Sequence, residues 1–205
     1  MPPLAVDVVL IGAAYASGAV PWGVVLGRWF GRIDLRRHGS HSIGATNALR
    51  VLGWRISIAV FALDFLKGFI PVVVARLAGV DGWWTAAVGV AAVIGHCWSP
   101  VIGFKGGKGM ATGAGSAAGM FPWVLLVFPL MVLVVALTRY VSLASLVGSV
   151  AVSVVVVVLG ALGLVAWSVT LAIVVITGII IVKHEGNIRR LLAGTERRFG
   201  EPVSG

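Results

Sequence analysis

Long apolar runs, each closed by a short polar segment, recur along this chain and leave little choice of fold. A hydrocarbon core about 30 Å thick takes about 20 helical residues to cross at roughly 1.5 Å each. Lipid offers no water to a free backbone N–H or C=O, so such runs must close their hydrogen bonds internally. The valines 154–158 would read as a strand in water but are read here as helix. Apolar runs extend over Leu4–Leu26, Ile56–Val74, Trp83–Phe104, Val141–Leu159 and Leu164–Val182. Pro21 should kink the first, because proline lacks the N–H that a helix interior needs. The run Met110–Thr138 has 29 residues, about 43 Å as one straight helix, which exceeds the core. It should turn back near Gly119–Pro122, as two short helices or a re-entrant hairpin. The expected architecture is all-α: a polytopic integral membrane protein of seven transmembrane helices, forming a single domain over residues 1–205.

Charge orients this bundle. The net charge of +9 would suggest nucleic acid in a soluble chain. With 59% hydrophobic residues it fits loops that face anionic headgroups or hold anionic substrates, and nucleic acid is not expected as a partner. Arg28, Arg32, Arg36, Arg37, Arg50 and Arg55 crowd the segment after the first run. Excess Lys and Arg mark cytoplasmic loops, so this loop is placed inside and the N-terminus outside. Counting spans returns the C-terminus to the cytoplasm. Residues 183–199 read as a short amphipathic tail there, with Ile188, Leu191 and Leu192 at helical spacing between arginines. The lone Cys97 allows no intrachain disulfide, and the scattered histidines and carboxylates give no reason to expect a metal or another cofactor.

Three polar segments therefore fall on one side of the membrane: residues 28–55, 103–109 and 183–198. The middle one, Gly103-Phe104-Lys105-Gly106-Gly107-Lys108-Gly109, carries four glycines and two lysines. Such a backbone can turn several N–H groups into one concavity beside positive charge, a cradle for phosphate. A plain topological hairpin accounts for the same composition, and Gly109 after Lys108 breaks the nucleotide P-loop pattern. The other two segments supply Ser40, Thr46, Asn47, Arg50, His184 and Asn187. Arginine can fork two phosphate oxygens, lysine gives a point charge, and hydroxyls and amides orient the rest. That set suits a small, doubly charged phosphate ester. Asp64 and Lys67 lie three apart inside a span, on one helix face, either as a structural ion pair or as part of a polar site. His96, in the third span, is read as a helix contact.

These motifs resemble the bacterial acyl-phosphate:glycerol-3-phosphate acyltransferases of the PlsY type along nearly the whole chain. The resemblance rests on Asp34-Leu35-Arg36-Arg37-His38-Gly39-Ser40-His41-Ser42-Ile43-Gly44-Ala45-Thr46-Asn47-Ala48-Leu49-Arg50, on Gly95-His96 leading to Phe104-Lys105-Gly106-Gly107-Lys108-Gly109-Met110-Ala111-Thr112, and on His184 to Glu196. Leu63-Asp64-Phe65-Leu66-Lys67-Gly68 matches a further pattern. The implied reaction moves a fatty acyl group from acyl phosphate to the 1-hydroxyl of glycerol 3-phosphate, giving lysophosphatidic acid and phosphate at the bacterial inner membrane. The implied partners are both substrates, membrane lipid and the soluble enzyme that makes acyl phosphate. Matching positions assign Ser40, Arg50, Lys108, His184 and Asn187 to the catalytic set. Gly106, Gly107, Lys108, Arg50, Thr46 and Asn47 are assigned to phosphate. His41 and Ser42 stand where the family has Gly and Asn, Gly186 where an acid is usual, and Ala19 where serine precedes the proline.

The general base is left open between His184 and a substrate phosphate oxygen. Ser40 has no sequence neighbours that would make it a covalent acyl carrier, and the H-x4-D pattern of other acyltransferases is absent. The competing expectation, a phosphate-ester transporter, would want polar groups through the full membrane depth; here they cluster on one face.

Overall fold

The computed structural model describes residues 4–201, and every regular element among them is helical. The first apolar run is α1 (Leu4–Ala19) and α2 (Trp22–Gly31), divided at Pro21 as the missing N–H requires. The charged segment that follows is not a plain loop. It carries α3 (Ala45–Leu52), a short amphipathic helix whose polar face hid it among the arginines. Next come α4 (Trp54–Leu77) and α5 (Gly82–Cys97), the latter capped by Asp81, which accepts from the Trp83 and Trp84 amides.

The run 110–138 breaks where its length demanded. It forms α6 (Met110–Met120), a 3₁₀ stretch over Pro122–Val127, and α7 (Phe128–Thr138). Helices α8 (Val141–Ala161), α9 (Trp167–Lys183) and α10 (Glu185–Leu192) complete the chain. By length and apolarity, four stretches can cross a membrane: 4–31, 54–77, 82–102 and 141–161. The pair α9–α10, bent by 59°, makes a fifth. At 11 residues each, α6 and α7 are too short for a full crossing alone, so four or five stretches among the described residues are long enough to span, against the seven expected.

Close packing between spans depends on missing side chains. A Cβ at Gly18 would lie 2.0 Å from the Ala92 carbonyl oxygen, where α1 meets α5. One at Gly115 would lie 2.0 Å from the Phe65 carbonyl oxygen, where α4 meets α6. In lipid, where apolar side chains gain little by leaving the solvent, such backbone approach is what holds helices together. Helix α6 is thereby sunk in the bundle, with Thr112, Gly113, Ser116 and Ala117 buried, while α7 buries no residue and presents its side chains outward.

Candidate active site

The ends of these helices enclose one polar cavity of about 460 Å³. It is walled by the Gly39–Arg50 segment, the start of α6, the start of α8 and the α9–α10 corner. Ser40, Thr46, Asn47, Arg50, Lys108, His184 and Asn187 all line it, although they come from three separated stretches of sequence.

Each is placed by local structure. Asn47, fully buried in α3, accepts the Ser40 N–H at 2.8 Å and donates from Nδ2 toward the carbonyls of Leu35, His38 and Ser42 at 3.1, 3.0 and 2.7 Å. Its amide is thereby engaged in shaping the Ser40 loop. The same loop turns through positive φ at Gly39 and at His41, at +63° and +57°. His41 thus occupies a left-handed position suited to glycine, with Nδ1 3.1 Å from the Arg36 carbonyl oxygen.

Lys108 Nζ donates to Asn187 Oδ1 at 2.6 Å. Asn187 Nδ2 donates in turn to Glu196 Oε1 at 2.6 Å, and the same oxygen accepts from Ser142 Oγ at 2.6 Å. Arg190 Nε reaches Glu196 Oε2 at 2.7 Å. Glu196 is the member that sequence reasoning missed: it closes a network across the glycine loop, α8 and α10, and the available signal was an acid set beside the tail arginines. The tail is strapped down beyond it, since Arg139 donates to the Phe199 carbonyl and the Phe199 N–H donates back at 2.6 Å.

The glycine loop differs from expectation. Gly106 and Gly107 do not line the cavity, and the Gly107 N–H is spent on the His96 carbonyl at 3.1 Å. A Cβ at Gly106 would meet that carbonyl oxygen at 2.0 Å, and one at Gly107 would meet His96 Nε2 at 2.1 Å. These glycines let the loop lie against the end of α5, so Lys108 faces the cavity while the Gly107 amide faces the other way.

Electrostatics favour an anion. Arg50, Lys108, Arg190 and Arg197 line the cavity against Glu196 and Asp64, and Asp64 is paired with Lys67 at 2.7 Å. Burial lowers the Lys108 pKa; Glu196 resists, Arg190 and Arg50 add to the shift, and the result is about 8. Burial, then Lys108, brings His184 down to about 4, against the hydrogen bond to the Ile180 carbonyl. His184 Nδ1 lies 2.8 Å from that carbonyl oxygen, which can only accept, so Nδ1 carries the proton and Nε2 keeps a lone pair. Burial opposes ionisation of Glu196, but hydrogen bonds from Ser142, Asn187 and Arg190 outweigh it and hold the carboxyl below its usual range.

Beside the polar cavity runs an apolar groove of about 130 Å³ between α6, α7, α8 and α9, sharing Phe61, Met110 and Met131 with it. Fold and cavity together define an integral membrane helical bundle with one cation-rich chamber opening onto an apolar channel.

The chain belongs to the glycerol-3-phosphate acyltransferase family, whose profile matches residues 8–194. It is 45% identical to the glycerol-3-phosphate acyltransferase of Geobacter sulfurreducens, over 94% of this chain and 97% of that one. An enzyme of the same name from Thermus thermophilus is 44% identical, over 93% of this chain and 94% of the other. The fold is similar to the crystal structure of PlsY (YgiH), an integral membrane glycerol 3-phosphate acyltransferase, in its glycerol 3-phosphate form. That match has a TM-score of 0.87 at 40% identity and covers 95% of this chain and 96% of the other. The lysophosphatidic acid form matches with a TM-score of 0.84 at 38% identity, covering 95% of each chain.

Proposed function

We propose that this chain transfers a fatty acyl group from acyl phosphate to the 1-hydroxyl of glycerol 3-phosphate, releasing lysophosphatidic acid and inorganic phosphate. The observation that carries the proposal is the meeting of Ser40, Arg50, Lys108, His184 and Asn187 around one cavity that continues into an apolar groove. A doubly charged headgroup and a fatty chain need those two environments side by side.

The hydroxyl oxygen attacks the acyl carbonyl carbon, a carbon–oxygen ester bond forms, and the bond from that carbon to the bridging phosphate oxygen breaks. Phosphate leaves with the bonding pair, and the hydroxyl proton passes to His184 Nε2 or to a phosphate oxygen. Acyl phosphate is already activated, so holding both substrates in attack geometry and stabilising charge does the work without a covalent intermediate. Lys108 and Arg50 bind phosphate and offset its charge. Ser40 and Asn187 orient the glycerol phosphate, Thr46 adds a hydroxyl, and Asn47 sets the Ser40 loop. Gly106 and Gly107 contribute by letting the loop seat. The lipid chain lies in the groove toward Val124 and Ile173.

In the membrane, residues 1–205 form one domain of seven membrane helices in the bacterial inner membrane, two of them the short α6 and α7, which cross only part of its depth, with the N-terminus outside. The cavity and tail face the cytoplasm, where glycerol 3-phosphate is dissolved and a soluble enzyme supplies acyl phosphate. The test offers the purified chain, in lipid, hexadecanoyl phosphate or a hexadecanoyl thioester with glycerol 3-phosphate, and identifies the lipid formed by mass spectrometry. Lysophosphatidic acid from acyl phosphate alone supports the reading; equal product from the thioester contradicts the donor.

A further inference from the structure

Asp64 and His96 form part of the cavity wall, Lys67 is buried beside Asp64, and the reaction as written uses none of the three. A buried ion pair gains little stability over apolar side chains of similar size, because desolvation consumes much of its attraction. What apolar side chains could not do is set a carboxylate opposite an imidazole nitrogen. Asp64 Oδ1 lies 2.7 Å from Lys67 Nζ and 3.7 Å from His96 Nδ1, and that nitrogen has no hydrogen-bond partner among the described residues. Lys67 Nζ also donates at 2.7 Å to the Val20 carbonyl, at the break between α1 and α2. On its other edge, His96 faces Gly107 so closely that a Cβ there would sit 2.1 Å from Nε2, and the His96 carbonyl accepts the Gly107 N–H. The next residue is Lys108. A strut of buried polar groups thus runs from the α1–α2 break through Lys67, Asp64 and His96 to the glycine loop, its step from Asp64 to His96 a 3.7 Å approach and not a hydrogen bond.

We propose that His96, packed with its Nδ1 toward the Asp64–Lys67 pair, is a positioning residue that sets the height of the glycine loop and so aims Lys108 into the cavity. This rests on the acyltransferase reading for its kinetic consequence only; the loop itself can be followed without catalysis. Two variants of the full chain decide it. Asp64→Leu/Lys67→Met removes the pair together and leaves no lone buried charge. His96→Gln keeps a polar group near Gly107 but loses Nδ1. The expected result in both is a thermal midpoint within a few degrees of wild type, hydrogen exchange at residues 105–109 at least tenfold faster, and kcat at least tenfold lower. KM for the acyl donor should stay within twofold, and combining the variants should cost no more than either alone, since both cut one strut. Wild-type exchange and kcat in either folded variant would overturn the proposal. If the double variant does not fold, His96→Gln, which leaves the ion pair in place, decides by the same readouts. An inactive wild type would refute the reaction, while loop exchange would still test the strut.

Discussion

Lys108 should give the activity an alkaline limit far below the ordinary lysine range. Burial is the main cause, and it brings this ammonium from 10.5 to about 8. If the charged form binds phosphate, kcat/KM for glycerol 3-phosphate should fall about tenfold between neutrality and pH 9, where roughly one lysine in eleven keeps its proton. A lysine of ordinary pKa would lose only a few per cent over that interval. A bound dianion favours the ammonium, so the limb in kcat should lie at higher pH than the limb in kcat/KM. Glu196 resists the shift, so Glu196→Gln should move the limb to lower pH. At the acid end, His184 is neutral down to about 4, so a fall near pH 6 would belong to the second ionisation of the substrate phosphate. The assay is initial-rate phosphate release in lipid or detergent from pH 5 to 10. A profile flat to pH 9.5, or a Glu196→Gln limb displaced toward alkali, would refute the reasoning. Linkage gives a second reading. The unfolded chain holds the Lys108 proton up to 10.5 and the folded chain only to about 8, so the penalty, about 3 kcal/mol, is fully present below pH 8. Its relief should make stability rise between pH 8 and 10.5.

Asn47→Ala should cost about 3 kcal/mol and most activity, since it strips the Ser40 loop of its shared hydrogen bonds; thermal melting and kcat report both. His41→Gly relieves a left-handed backbone and should leave activity intact while raising stability by up to about 1 kcal/mol, read from the thermal midpoint. Ala114→Leu should shorten the preferred donor, because each methylene kept out of the groove forfeits about 0.8 kcal/mol, roughly fourfold in kcat/KM; a series of acyl phosphates of graded length measures it.

Hydropathy alone located the long spans, because lipid-facing side chains dominate them and length is set by bilayer thickness. The break near Gly119–Pro122 was legible from arithmetic, 29 apolar residues being too many for one crossing. Helix α3 was not legible, since Thr46, Asn47 and Arg50 look like loop chemistry until folded on one amphipathic face. The cavity residues were recognisable by type and by falling in three polar segments between apolar runs, but their contacts were not. Whether an asparagine binds substrate or backbone, and whether a glycine serves a phosphate or a neighbouring imidazole, depends on how the loop between them folds back, which residue types alone do not specify. Glu196 was hidden for the same reason: its partners Ser142 and Asn187 lie on other elements.

The central claim is direct acyl transfer within this cavity, aided by Lys108. The most direct measurement is a single turnover with limiting hexadecanoyl phosphate and folded protein, with and without glycerol 3-phosphate, in wild type and Lys108→Ala. One phosphate and one lysophosphatidic acid per donor, only with glycerol 3-phosphate present and at least a hundredfold slower in the variant, is the predicted result. Phosphate release independent of glycerol 3-phosphate, or an unimpaired variant, would contradict the account.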